Sequence, residues 1–287
     1  MLLKPGDMFG DYRVVCQLGK GGMAEVWLLE IESRKEFCAV KLLYPEKAGD
    51  RNTRRRFLSE ARLSMEIPDP NLVRVFDIGE DPDSGLCYIL MEYVPGGTLA
   101  DWLADLGRLP MATAVSLTRD VALMMERTLL PRGIVHRDLK PSNIMFASDG
   151  SFRLADLGSA HIDGSGERGL SPSSTGMMGV FLGTPAYMAP EQMLDPADVD
   201  YRADIYSLGV IFFEMLTGSH PYPNLSAVQI MARAVTGEAI PDVRTVCPTV
   251  PAVLANVIRA MCEPKREARV ESPQWIADCC GRVLERM

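Results

Sequence analysis

The stretch His136-Arg137-Asp138-Leu139-Lys140-Pro141-Ser142-Asn143 constrains this chain more than any other. It gathers a carboxylate, cations and an amide side chain between two apolar runs, Gly133-Ile134-Val135 and Ile144-Met145-Phe146. Loops between strands are usually polar, which accounts for the general character of the stretch. It does not account for three charged groups packed between apolar segments, which are costly there without a use. Read for chemistry, Asp138 can accept a proton and Lys140 can neutralise a transferring phosphate. Asn143 can ligate a hard cation through its carbonyl oxygen.

Upstream, residues 11–18 and 25–31 are rich in Val, Leu, Tyr and Trp and bracket Gly19-Lys20-Gly21-Gly22-Met23. The pattern is strand, glycine turn, strand. Glycines let backbone N–H groups approach phosphates because no Cβ intervenes. A plain surface hairpin is the alternative. A strand follows the glycines, and no G-K-[ST] appears, so neither a dinucleotide fingerprint nor a Walker loop fits. Phe37 to Leu43 is the next strand, with Ala39 and Lys41 on one face and Cys38, Val40 and Leu42 on the other. Arg54 to Met65 reads as a helix with Phe57, Glu60, Ala61 and Ser64 on one stripe. Glu60 can pair with Arg56 on the surface.

In this context the octet resembles the catalytic loop of eukaryotic-type protein kinases, the standard worked case of phosphoryl transfer. The resemblance extends in order through the chain. The glycine hairpin Gly19 to Val26 is most similar to bacterial members, with Ala24 where the family has a third glycine. Ala39-Val40-Lys41 resembles the phosphate-anchoring lysine motif, whose lysine is held by a carboxylate, which makes a Lys41–Glu60 pair a stronger expectation than Glu60 with Arg56. Met91-Glu92-Tyr93-Val94 running into Pro95-Gly96-Gly97 resembles the interlobe hinge. Asp156-Leu157-Gly158 stands where the family has Asp-Phe-Gly, and Gly183 to Glu191 resembles the substrate-docking loop with its Ala-Pro-Glu anchor. Arg269 matches the arginine that pairs with that glutamate, although Arg266 replaces the proline usual three residues earlier. Asp204, in the first turn of an apolar helix over Ala203 to Leu216 closed by Gly218, matches the aspartate that braces the catalytic loop.

The resemblance implies an α+β, two-lobed fold within a kinase domain over 9–284. The N-lobe, to about residue 94, is small and β-rich; the C-lobe, from about 95, is larger and mainly helical. ATP would lie in the cleft between them. Catalytic roles fall to Asp138, Lys140, Lys41 and Glu60. Nucleotide contacts fall to Leu18, Gly19, Lys20, Gly21, Gly22, Met23, Ala24, Glu25, Val26, Ala39, Lys41, Met91, Glu92 and Val94. Asn143 and Asp156 would hold Mg²⁺, with Mn²⁺ as the alternative metal. Lys140, two residues after Asp138, and Thr184 mark Ser/Thr rather than Tyr specificity. The rivals are a catalytically dead scaffold, which needs a missing catalytic group, and a small-molecule phosphotransferase, which has no use for a peptide-docking loop. Arg137, beside Asp138, would pair with a phosphate on Ser171, Ser173, Ser174 or Thr175, Thr175 and Ser174 foremost, and so order the segment before the docking loop.

Composition sets the remaining expectations. A net charge of −8 over 287 residues argues against nonspecific nucleic-acid binding and gives no reason to expect an anionic membrane partner. No run approaches a transmembrane span, and the N-terminus lacks the apolar core of a signal peptide. Seven cysteines without a C-x-x-C pair read as buried thiols in a reducing compartment, hence a cytoplasmic location. Three scattered histidines disfavour a histidine-based metal site. The expected partners are protein substrates with Ser or Thr acceptors, and a second copy of the chain for autophosphorylation.

Overall fold

The strand-rich sequence before residue 44 forms four antiparallel strands in the computed structural model, which describes residues 2–157, 161–162 and 185–287. These are β1 (Met8–Phe9), β2 (Tyr12–Lys20), β3 (Ala24–Ile31) and β4 (Glu36–Leu43). Helices α1 (Pro45–Ala48) and α2 (Arg51–Glu66) follow, then β5 (Val75–Glu80) and β6 (Cys87–Glu92). The six strands pair antiparallel in the order β1-β2-β3-β4-β6-β5. Helix α2 begins three residues before the expected Arg54 because Asp50 caps it, accepting from the N–H groups of Asn52 and Thr53, both at 3.2 Å. It ends at Ile67, where Pro68 follows.

Both faces of the sheet are covered. On one, Trp27, Leu29, Cys38, Val40, Leu42 and Leu90 pack with Val14 and with Leu3 and Phe9 from the N-terminal segment. On the other, Leu43, Cys87 and Ile89 pack against Phe57 and Ala61 of α2. The β3–β4 register sets Val26 opposite Lys41 and Leu28 opposite Ala39, which fixes the face that carries Lys41.

The chain divides into two compact units, one of Met1–Gly96 with Phe146–Gly158, the other of Gly97–Met145 with Ser159–Met287. The return of residues 146–158 to the first unit is not visible in local sequence. Backbone bonds hold it there: Val73 N–H donates to the Leu154 carbonyl at 2.9 Å, and Leu154 N–H to that of Asn71 at 2.7 Å. Gly96 N–H donates to the Phe146 carbonyl at 2.8 Å, and a Cβ on Gly96 would stand 2.4 Å from that oxygen.

In the second unit, α3 (Leu99–Leu106) opens on a capping box between Thr98 and Asp101. The next helix, α4 (Met111–Met124), runs on through a π-turn, Met125–Leu129, and a short 3₁₀ turn that stops at Gly133, φ 62°. Leu117, Val121, Met124, Met125 and Thr128 form a buried stripe. Strand β7 (Ile134–Val135) pairs antiparallel with His161–Ile162. Then come α5 (Pro190–Leu194), α6 (Arg202–Thr217), α7 (Ala227–Thr236), α8 (Val243–Val246), α9 (Ala252–Met261) and α10 (Pro273–Leu284). Helix α6 is buried on every side from Ala203 to Phe213, and Gly218 closes it at φ 80°. The cysteines depart from expectation at one position: Cys16 on β2 is exposed, and the other six are buried.

Gly209 shows how closely α6 meets its neighbours. A Cβ there would lie 2.5 Å from Cys262 Sγ and 2.8 Å from Met261 Cβ. Helix propensity alone favours Gly209→Ala by about 0.5–1 kcal/mol, but overpacking costs about 1–3 kcal/mol. The larger effect decides the sign. The variant is expected to melt below the wild type in a denaturant titration, and a raised midpoint would contradict this packing.

Candidate active site

The glycine hairpin is closed by the pair Lys20–Glu25, and inside it Gly21 N–H donates to the Ala24 carbonyl at 2.8 Å. Gly21 and Gly22 at the tip are exposed, as are Leu18 and Lys20; Gly19, Met23 and Val26 are half-buried, and Ala24 is buried. Glu25 does not join them. Its register partner Leu42 lies on the face opposite Lys41, and the Glu25 side chain is buried there with both oxygens engaged. Its carboxylate is therefore committed within the protein, a correction to its place among the nucleotide contacts. Sequence spacing alone, with Glu25 next to Val26 on a strand, already sets the two side chains on opposite faces.

Lys41 and Ala39 are flanked on β6 by Ile89 and Met91, their register partners. Lys41 Nζ meets both carboxylate oxygens of Asp156, at 2.8 and 2.9 Å. The expected partner was Glu60, whose side chain lies outside the described residues. Asp156 holds φ at 64°, a left-handed conformation rare for a non-glycine residue. Glu92 N–H donates to the Arg74 carbonyl at 2.8 Å, its side chain pairs with Arg153, and Val94 is buried.

The second unit carries the octet. Lys140 Nζ donates to Asp138 Oδ2 at 2.7 Å, and Asn143 Nδ2 donates to the Asp138 carbonyl at 2.8 Å. Among the described residues, the bonds of the Asp138 carboxylate all fall on Oδ2, none on Oδ1. Arg137 is the other left-handed residue here, φ 66°. That strained backbone is held from two sides. Asp204 accepts the N–H groups of His136 at 2.7 Å and Arg137 at 2.9 Å, and Gln192 Nε2 donates to the Arg137 carbonyl at 2.8 Å. Asp204 is fully buried; burial pushes its carboxyl above the usual carboxylate range, opposed by the positive charge of the neighbouring residues and the two N–H donors. The Arg137 guanidinium reaches the Pro196 carbonyl at 3.3 Å. The serines and threonine of 171–175, and Thr184, lie outside the described residues.

Downstream, Glu191 and Arg269 form a two-armed ion pair at 2.6 and 3.0 Å with the arginine side chain wholly buried. Arg266, in the proline's place, instead holds Asp198 through its carbonyl at 2.8 Å and its carboxylate at 2.6 Å. Sequence reasoning missed three bonds that pin the docking loop, two to α6 and one to His220 just beyond it. Tyr187 donates from its hydroxyl to Glu214 at 2.6 Å, Ser207 donates to the Tyr187 carbonyl at 2.7 Å, and His220 Nε2 meets the Ala186 carbonyl at 2.8 Å. Burial, with the Glu214 carboxylate beside it, pushes the Tyr187 phenol upward, so it stays a donor.

No cluster of three or more His, Cys, Asp or Glu suited to a metal occurs among the described residues. Mg²⁺ needs no such cluster: it binds through one or two protein oxygens together with phosphate and water. Asn143 fits that role, because its Nδ2 is bound to Asp138 and its carbonyl oxygen remains as a hard ligand. Asp156, the other expected ligand, has both carboxylate oxygens on Lys41.

A model of the protein kinase domain family matches residues 12–278. A probable serine/threonine-protein kinase of Clostridium perfringens is 34% identical over 82% of this chain, and the serine/threonine-protein kinase PrkC of Bacillus subtilis 33% identical over 87%. The matches take in 33% and 37% of those proteins, so the chain spans about a third of their length. The crystal structure of the Mycobacterium tuberculosis PknI kinase domain superimposes with a TM-score of 0.72 at 28% identity, covering 98% of this chain and 99% of that one. A double mutant of the same domain gives 0.74, covering 99% and 100%. The chain belongs to the protein kinase domain family. No helix among the described residues is long and apolar enough to cross a membrane.

Proposed function

We propose that this chain is a serine/threonine protein kinase domain, spanning 9–284, that transfers the γ-phosphoryl group of ATP to Ser and Thr hydroxyls of proteins, its own activation segment included. The observation that supports this most is Asp138, with one carboxylate oxygen on Lys140 and the other left to meet an acceptor hydroxyl. Asp138 Oδ1 takes the hydroxyl proton as the acceptor oxygen bonds to the γ-phosphorus and the bond to the bridging oxygen breaks, leaving ADP. Lys140 balances charge on the transferring group, and the Gly19–Met23 backbone with Lys41 holds the phosphates. The adenine edge is read by the backbone of Glu92 and Val94; at Glu92 this falls to the carbonyl, since its N–H is already bound. Asn143 and Asp156 would hold Mg²⁺ or Mn²⁺, which when bound neutralises phosphate charge. A reducing, cytoplasmic location for this domain fits its six buried free thiols. Autophosphorylation implies transient pairing of two copies.

Incubating the purified chain with Mg·ATP and a mixed protein pool, then mapping phosphosites, tests the proposal. Phosphate on Ser and Thr side chains of proteins is the expected outcome. ATP turnover with a small-molecule acceptor alone would favour a different phosphotransferase, and nucleotide binding without transfer would favour a scaffold.

A further inference from the structure

Glu25 is a fully buried carboxylate that the phosphoryl-transfer chemistry does not use. Burying a carboxylate is costly unless hydrogen bonds replace its water. Here three donors from separate places in the chain converge on it. The backbone N–H of Leu2 donates to Oε1 at 2.6 Å, the Trp27 indole Nε1 to Oε1 at 2.8 Å, and Gln17 Nε2 to Oε2 at 3.2 Å. None of the three is a cation. The site therefore reads as a lock between chain segments rather than an ion pair.

What the lock joins gives it meaning. Leu2 belongs to a strap that runs over the face of the sheet opposite Lys41. Leu3 and Phe9 of that strap are buried against Val14, Trp27, Leu29 and Leu42, and Gly6 N–H bonds to the Val14 carbonyl at 2.8 Å. Glu25 itself is paired in register with Lys20, and together they close the glycine hairpin. Gln17 lies three residues before that closing pair, on β2, and Trp27 two residues after it, on β3. The carboxylate thus ties both arms of the hairpin, at its neck, to the strap behind it. The second tether of the tip is also backbone: Tyr44 N–H donates to the Met23 carbonyl at 3.0 Å.

We propose that Glu25 is a positioning residue for ATP. Through Leu2, Gln17 and Trp27 it fixes the twist of the hairpin neck, and so the direction in which the N–H groups of Gly22 and Met23 face the phosphates. The N-terminal strap is by this account a working part of the nucleotide site, although none of its residues touches the nucleotide. The inference rests on the assignment of ATP to the glycine hairpin.

Three variants test it. Glu25→Ala removes the acceptor, leaves the buried Trp27 donor and the half-buried Leu2 and Gln17 donors without it, and is expected to raise the KM for ATP about tenfold, the equivalent of one or two hydrogen bonds of positioning. The KM for the protein acceptor should not move. Glu25→Gln, isosteric and still an acceptor, should restore most of the ATP affinity once the Gln17 amide turns to accept from it. Leu2→Pro keeps an apolar side chain but deletes the N–H; it should raise the KM for ATP in the same sense, and its effect should not add to that of Glu25→Ala. If Glu25→Ala does not fold, Leu2→Pro decides the matter by itself. Lower melting temperatures with an unchanged KM for ATP would reduce Glu25 to a purely structural residue and overturn the proposal. A wild-type chain that does not bind ATP would instead refute the assignment on which the proposal rests.

Discussion

Asp138→Asn is expected to lower phosphoryl transfer by about 10²–10⁴-fold, the usual contribution of a positioned acid or base, while ATP affinity stays close to that of the wild type. The substitution is conservative in shape. An asparagine oxygen can still accept from Lys140, which lies 2.7 Å from Asp138 Oδ2, and the backbone carbonyl that Asn143 holds is unchanged. The loop should keep its form, because Asp204 and Gln192 grip it through backbone atoms of His136 and Arg137. What changes is the atom facing the acceptor hydroxyl, an NH₂ in place of Oδ1, which cannot take a proton. In the proposed function nucleotide binding rests on other residues, the glycine hairpin and Lys41 among them. Steady-state rates with a protein acceptor, beside a direct ATP-binding titration, separate the two effects. Near-normal turnover by Asp138→Asn would remove the base assignment, and a parallel loss of ATP binding would mean that the substitution had disturbed the fold.

Glu191→Ala is expected to cost about 3–5 kcal/mol of stability, the range for breaking a buried ion pair from one side. The Arg269 guanidinium has no exposed surface, and Glu191 meets it with two oxygens. The remaining acceptors are backbone carbonyls of Glu263 at 3.1 Å, Arg202 at 2.7 Å and Pro264 at 3.4 Å. These satisfy donors but do not neutralise charge, and arginine does not give up its proton. The truncation would therefore leave a buried cation facing only dipoles. Urea or thermal unfolding measures the loss. A change below about 1 kcal/mol, the ordinary value of an exposed pair, would show that solvent reaches Arg269 in solution.

How much of this was legible in the sequence follows from which interactions are local. The faces of β4 were readable because alternation is a property of a single strand, and the β3–β4 register agrees with it. The bracing role of Asp204 and the Glu191–Arg269 pair were readable from the family resemblance. The Lys41–Asp156 bond was not readable, because it depends on how residues 146–158 return to the sheet, which is decided by backbone bonds to Asn71 and Val73 far away in sequence. The first turn of α2 was missed because Arg51 and Asn52 are weak signals until Asp50 is recognised as their cap. Glu25 was placed with the nucleotide because resemblance assigns whole motifs, whereas the pleat assigns each side chain a face. The bonds from Tyr187, Ser207 and His220 that pin the docking loop join positions up to 34 residues apart and leave no local pattern.

The most direct test of the central claim is the fate of the γ-phosphorus. The purified chain is supplied with Mg²⁺ and a protein pool, with ATP labelled at the γ position in one reaction and at the α position in another, and the protein fraction is hydrolysed for phosphoamino acids. The account predicts label from the γ position on phosphoserine and phosphothreonine, none from the α position, and a loss of that label in Asp138→Asn. Protein label that persists in Asp138→Asn, or γ-label found only in small molecules, would contradict it.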